Sequence, residues 1–351
     1  TNVINTMALP TNLFNAPKTF WNLIDILTSV KWVFVFCRIF HKTIPENAVT
    51  VIQNSMYANV EELNVYCDGE EDFSIRLKFS HEAETKVIQA GRILDNRDYR
   101  WFDGEMTETE MFDGCLTFSL STKREINLKN IKCILKHIVG FFEIQKIILT
   151  SDANVMDIFT FETRQKLLKV ILSNQELSPY DARYMLEDSN INVLILENVK
   201  VKTNGSPSTY TVKPDRVVLK NAPWFSCDSL HKISCTSFEL DLDNTSDNIP
   251  ELCHLSHFIY SWGEGKLSTL DRMKLVLPVE FFKKNSDYAD NIIGRLEDDD
   301  SFSFVKVKTT DDRKKCTFYG KNHQMKEGEL TFGDRIFNDR TFLFRLTGYM
   351  L

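Results

Sequence analysis

A chain of 351 residues, 43% hydrophobic and 26% charged with only 13 Gly and 9 Pro, carries enough apolar surface for a large core, which excludes a disordered polymer. Its formal net charge of −7 gives a phosphate backbone no overall attraction, so nucleic acid is not an expected partner. The eight cysteines (Cys37, Cys67, Cys115, Cys133, Cys227, Cys235, Cys253 and Cys316) are scattered, most beside apolar neighbours, and read as buried thiols of a reducing compartment, cytoplasmic or also nuclear, in which the sequons at Asn204 and Asn244 are chance matches.

The most apolar stretch runs from Trp21 to Phe40. Asp25, Lys31 and Arg38 interrupt it, so it reads as a pair of core helices and not as a membrane span. Ser29 is placed to cap a helix whose apolar positions Val30, Val33, Phe34, Cys37 and Phe40 follow helical spacing, and Pro45 ends it. Residues 1–50 thus form a short helical module, too small to be stable alone, that packs on a neighbour or on another protein.

Residues 51–351 make a second domain of strands and helices. Strands are expected near Val60–Tyr66, Phe73–Phe79 and Cys115–Leu120, the first two joined by a hairpin at Asp68-Gly69. The polar stretch Asn96–Asp113 reads as a surface loop. Ile131, Ile134, Leu135 and Ile138 share one helical face with Gly140 as a stop, and Ile144–Leu149 reads as a strand. Helices are expected at Thr163–Leu172 and Ser178–Glu187, the latter with a Ser cap and Pro179 in its first turn. After Asn248-Ile-Pro250 comes a helix burying Leu252, Leu255, Ile259 and Trp262, then strands at Leu270–Leu275 and Phe302–Val307. Glu297–Asp300 reads as a solvated acidic loop, and Cys316–Tyr319 with Thr341–Leu346 as terminal β structure covering the sheet edge.

Three runs in the middle of the chain look alike: Leu194-Ile-Leu196-Glu-Asn198, Val217-Val-Leu219-Lys-Asn221 and Leu240-Asp-Leu242-Asp-Asn244. The step between their first positions is constant, since 217 − 194 and 240 − 217 both equal 23. Alternate apolar residues make each run a strand with one buried face, and a repeat of about 20–29 residues carrying such strands marks a leucine-rich-repeat-like solenoid. Strand, crossover, strand order predicts right-handed crossovers, a mainly parallel sheet and helices on one side. The outward residues of such a sheet are Ile195, Glu197, Val218, Lys220, Glu239, Asp241, Lys274 and Val276; they are the candidate surface for a protein target, or else a merely solvated face.

The segment Pro223-Trp224-Phe225-Ser-Cys227-Asp228-Ser-Leu230, with Cys235 and the strand Phe238–Leu242, resembles the F-box-associated region of the expanded nematode F-box proteins. His257-Phe258-Ile259-Tyr-Ser-Trp262 with Gly265, Leu270, Met273 and Leu275 is similar to that family's F-L-x-x-W-x-x-G-x-x-x-x-L-x-x-L-x-I pattern. Leu9-Pro10 followed by Leu27, Val30, Cys37-Arg38 and Phe40 resembles a divergent F-box, with stretched spacing between Leu13 and Leu27 and with Pro17 interrupting a helix. The resemblance implies a substrate-recognition adaptor of a cullin-based SCF ubiquitin ligase. Leu9, Pro10, Leu13, Leu27, Val30, Val33, Cys37 and Phe40 would dock a Skp-type linker subunit, and through it a cullin. The solenoid would hold a protein target, and the chain would perform no chemistry itself.

Two other readings stand beside it. One is a stand-alone protein-interaction module of the same fold that has lost ligase docking. The other is a metal-dependent transferase using Asp241 and Asp243, whose alternate strand positions put both carboxylates on one side. His254 and His257 with Cys253 offer zinc-capable donors one helical turn apart, which Cys227 or Cys235 would have to complete. No H-E-x-x-H, G-x-S-x-G or G-x-G-x-x-G occurs, which argues against common hydrolase and dinucleotide chemistries. No catalytic residue, metal, cofactor or membrane partner is expected.

Overall fold

Alternation of apolar and polar residues governs most of the chain, and in the computed structural model it is realised as strands. The structure describes Asn59 to Thr347 apart from 69–71, 79–84, 92–97, 103–104, 113–114, 120–123, 203–206, 243–251, 265, 268, 277–286, 299, 301, 311–312, 321–326 and 333–340. The helical module 1–50 and its candidate linker-docking residues lie outside the described residues. The chain divides into two units: one runs to Ile148 and adds Val155–Lys166, and the other comprises Leu149–Asn154 and Leu167–Leu351.

The first unit holds β1 (Asn59–Asp68), β2 (Asp72–Lys78), β3 (Thr85–Gly91), β4 (Asp98–Phe102), β5 (Glu105–Phe112), β6 (Cys115–Ser119), α1 (Arg124–Phe141), β7 (Glu143–Ser151, which continues past this unit's boundary) and the single turn α2 (Phe161–Arg164). Its strands are ordered β7-β1-β2-β3-β6-β5-β4. The stretch 96–113, expected as a loop, is instead largely the hairpin β4–β5, pairing Asp98 with Thr109 and Phe102 with Glu105. Its polarity is that of a strand ladder whose threonines and glutamates alternate, and Thr109 is buried. Helix α1 runs one residue past Gly140, and Ile131, Ile134, Leu135 and Ile138 are all buried, as their spacing requires. Phe73 and Phe118 meet edge to face at 5.5 Å in the core.

The second unit is mixed α/β around a large, mainly parallel sheet. It contains β8 (Leu167–Ser173), β9 (Glu176–Leu177), α3 (Pro179–Arg183), β10 (Val193–Glu197), β11 (Lys200–Val201), β12 (Arg216–Lys220), β13 (Ser237–Asp241), α4 (Leu252–Gly263), β14 (Arg272–Val276), α5 (Tyr288–Asp298), β15 (Phe302–Thr310), β16 (Arg313–Gly320), β17 (Glu327–Phe332) and β18 (Thr341–Thr347). Strands β8, β10, β12, β13 and β14 pair in parallel in that order, and β9 pairs in parallel with β11. Antiparallel β18, β17, β16 and β15 then extend the sheet from β14, covering the edge that the terminal β segments were expected to cover.

Thr163–Leu172 is not a helix. Thr160 caps only one helical turn, accepting from the Thr163 amide at 3.3 Å, and the chain then extends into β8. The β-branched pair Val170-Ile171 and the burial of Leu167, Val170 and Leu172 belong to a strand, the first of the parallel set. The Ser178 cap accepts from the Asp181 amide at 3.1 Å; α3 follows, and a wider turn over Tyr184–Asp188 completes the expected helix to Glu187. The acidic cluster at 297–300 is in part the carboxyl end of α5, whose Ile292, Ile293 and Leu296 are buried.

The repeat differs from its expected register in one place. Leu194 lies beside Val217 as the constant step requires, but Val217 lies beside Phe238, two positions short of Leu240. Leu240 is therefore the partner of Leu219 and not of Val217. A two-residue slip leaves every side chain on the same face, so apolar alternation cannot distinguish the two registers; crossover length and backbone hydrogen bonds decide. The buried rows are Val170, Leu194, Val217, Phe238 and Met273, then Leu172, Leu196, Leu219, Leu240 and Leu275.

At the carboxyl ends of β8, β10 and β12 stand Asn174, Asn198 and Asn221, with φ of 51°, 53° and 52°. Left-handed backbone is costly for most L residues and tolerated by Asn, which explains the residue type. The Asn221 amide donates to Asn198 Oδ1 at 3.0 Å and the Asn198 amide to Asn174 Oδ1 at 3.1 Å. The backbone N–H groups of Asn221, Asn198 and Asn174 donate to the carbonyls of Asp241, Lys220 and Glu197 on the next strand. The same backbone bond is made by Leu242 to Val276, so Leu242, and not Asn244, takes the next equivalent place. Among the described residues no helix is long and apolar enough to cross a membrane.

Candidate functional site

Successive side chains of a strand point to opposite faces, so the face opposite the leucine rows is fixed by the register. Its three rows across β8, β10, β12, β13 and β14 are Lys169, Val193, Arg216, Ser237 and Arg272; Ile171, Ile195, Val218, Glu239 and Lys274; and Ser173, Glu197, Lys220, Asp241 and Val276. All eight candidate target-contact residues therefore fall on one face, in two adjacent rows. Seven are half-buried and accessible, whereas Val218, between Ile195 and Glu239, is 6% exposed and offers almost no surface.

Four of the eight engage one another. Lys220 Nζ stands 3.2 Å from Glu197 Oε2, and Lys274 Nζ 2.8 Å from Glu239 Oε1. Each pair bridges neighbouring strands, so it contributes to strand pairing and leaves little uncompensated charge in these two rows. Ion pairs with this much solvent access are worth about 0–1 kcal/mol each, a cost that a docking partner could meet.

The sequence reading missed the part of the face on β8, because β8 was expected as helix. The signal was present: Val170-Ile-Leu172-Ser-Asn174 has the apolar alternation and terminal Asn of the other runs, one repeat before Leu194-Ile-Leu196-Glu-Asn198. It also omitted the first row, whose Arg216 and Arg272 are exposed.

The residues that carry the family resemblance have a different place. Trp224, Phe225, Cys227, Leu230, Cys235, Phe238, Phe258, Ile259, Trp262, Leu270, Met273 and Leu275 are all buried. Trp224 donates its indole N–H to the Val199 carbonyl at 2.7 Å and meets Tyr210 edge to face at 5.7 Å, while Phe225 packs on Phe238 at 5.8 Å. Trp262 of α4 meets Phe318 of β16 edge to face at 5.4 Å. They set the crossovers onto the sheet and do not themselves offer a binding surface.

The metal-capable residues do not converge. His254 Nε2 lies 3.0 Å from Asp228 Oδ1, joining α4 to the 3-10 turn Cys227–Lys232. Burial pushes the Cys227 and Cys235 thiols up to about 12, which keeps both protonated and poor ligands at neutral pH. Among the described residues no three His, Cys, Asp or Glu side chains are grouped to hold a metal. Asp241 lies on the outward face, and Asp243, its partner in the transferase reading, lies outside the described residues. Cys67, Cys227, Cys235 and Cys316 are buried and Cys115, Cys133 and Cys253 half-buried, all unbridged.

No protein-family model, no curated protein and no solved structure matches this chain.

Proposed function

We propose that the chain is a recognition protein whose second unit, an irregular leucine-rich-repeat-like solenoid, binds a protein target on the outward face of its parallel strands. The observation that carries this reading is the registered face itself: three rows of largely accessible side chains on five adjacent strands, mixing isoleucine, arginine and strand-bridging Glu–Lys pairs. A broad, shallow surface of this kind suits a macromolecule. Taken with the resemblance to F-box proteins, it favours a substrate adaptor of an SCF ubiquitin ligase. In that role the amino-terminal module docks the Skp-type linker and the solenoid raises the effective concentration of target lysines near the charged conjugating enzyme.

The test is co-purification of the full chain with a Skp-type subunit, compared with Val30→Asp and Phe40→Asp. Recovery by the unaltered chain and loss in both variants supports the adaptor reading. No recovery by the unaltered chain removes ligase docking and leaves a stand-alone interaction protein.

A further inference from the structure

The first row of the outward face differs from the other two. Lys169, Arg216 and Arg272 stand in register on β8, β12 and β14, separated by Val193 on β10 and Ser237 on β13. Among the described residues none of the three is ion-paired, whereas Lys220 and Lys274 in the neighbouring rows are both neutralised by glutamates. Asp215 and Asp271, exposed and just ahead of their strands, precede the two arginines in sequence, but neither forms an ion pair with them among the described residues. In a chain of net charge −7, three cations in one line without an ion-pair partner among the described residues set this row apart from the two beside it.

Their spacing selects a ligand geometry. Neighbouring strands lie about 4.8 Å apart, so cations on alternate strands repeat at about 9.6 Å. A polyproline II segment turns once per three residues and rises about 3.1 Å per residue, so every third side chain returns to the same side after about 9.3 Å. The half-buried Val193, Ile171 and Ile195 flank the cations with apolar surface for the intervening residues.

We propose that this row is the seat of an acidic polyproline II segment of the target, laid across the strands with a carboxylate every third residue facing Lys169, Arg216 and Arg272. The inference rests on the recognition reading above and names the chemistry of what is recognised.

Fluorescence anisotropy with a labelled (Glu-Pro-Val)3 peptide and the full chain tests it. Binding should weaken as salt rises, and Lys169→Glu/Arg216→Glu/Arg272→Glu should weaken it at least about ten-fold. Lys200→Glu/Lys213→Glu/Lys232→Glu, an equal change of net charge off the row, should not. A (Lys-Pro-Val)3 peptide should not bind. If the first triple variant loses its cooperative urea transition, Arg216→Gln and Arg272→Gln singly replace it, each expected to cost about two- to five-fold. Unchanged affinity in the variants of the row, or equal binding of the lysine peptide, overturns the proposal. So does a single-stranded oligothymidine that binds as tightly and is lost with the same variants, since the row would then read charge without peptide chemistry. A target protein retained equally by the unaltered chain and the row's triple variant sinks this inference and leaves the recognition reading standing. Peptide binding that is lost in the row's variants, with no Skp-type linker recovered by the full chain, keeps this inference and removes only the ligase docking.

Discussion

Within the parallel sheet of the second unit, the β8–β10–β12 side and the β13–β14 side solve the same problem differently. On the first, the crossovers are nearly equal in length, and each strand ends in an asparagine at positive φ, the side-chain amides of Asn198 and Asn221 each donating to the preceding asparagine. On the second, the crossovers differ widely, the longer one carries the twelve-residue helix α4, and Leu242 is fully buried where the next asparagine would stand. The strand ladder continues unbroken, but the strand ends are secured by side-chain amides on one side and by apolar packing on the other. A parallel sheet accommodates such a change because each strand hydrogen-bonds only to its immediate neighbours.

Truncation tests the packed side hardest. Phe238→Ala removes a buried ring from between Val217 and Met273 and from contact with Phe225, and should cost about 3–5 kcal/mol in urea unfolding. A cost under about 1 kcal/mol would mean that the packed side does not depend on this core.

Overfilling the same side should cost less. Gly328 lies opposite Phe318, and a Cβ at Gly328 would stand 2.6 Å from two ring carbons of Phe318, which itself packs on Trp262. Gly328→Ala should lower stability by about 1–3 kcal/mol in the same urea measurement.

The ladder side is probed by Asn198→Ala, which removes both side-chain bonds and places alanine at φ 53°. A loss of about 1–2 kcal/mol is expected, and Asn198→Gly, which accepts that φ, should recover part of it. If glycine is as damaging as alanine, the amide bonds and not the backbone conformation account for the asparagine.

Two smaller effects separate the sides further. Burial, then the neighbouring Lys232, hold the His231 imidazole below its ordinary value of 6.5, Asp228 opposes this, and His257 and His254 reinforce it. The unfolded chain therefore takes up this proton more readily than the folded one. Stability should fall as pH drops below about 6.5, and His231→Gln should flatten that fall in urea midpoints measured across the range. The Cys227, Cys235 and Cys316 thiols, each pushed up to about 12 by burial, should resist iodoacetamide at pH 7 until urea unfolds the chain, when they react together. Reaction of Cys235 under native conditions would show that the packed side opens locally.

Much of this was legible from residue order. The leucine rows of β10, β12 and β13 follow from alternation, α4 from the helical spacing of Leu255, Ile259 and Trp262, and the shared face of the eight candidate residues from both. Strand β8 was legible in the alternation and terminal Asn of Val170–Asn174 but was overridden by the helix expected over Thr163–Leu172, and the hairpin β4–β5 was hidden by the polar, acidic composition of Asn96–Asp113.

Sequence by itself determined the leucine face of β10, β12 and β13, because a period of two assigns the faces without knowledge of any neighbour, although Val218 on the opposite face is buried as well. It aligned Asn198 with Asn221 correctly, but placed Asn244 where the structure has Leu242. Only the tertiary structure decided the register of β13 against β12, and with it which cations share a row. A slip of two residues preserves every face, so the choice falls to crossover length and to interstrand hydrogen bonds that local sequence does not encode.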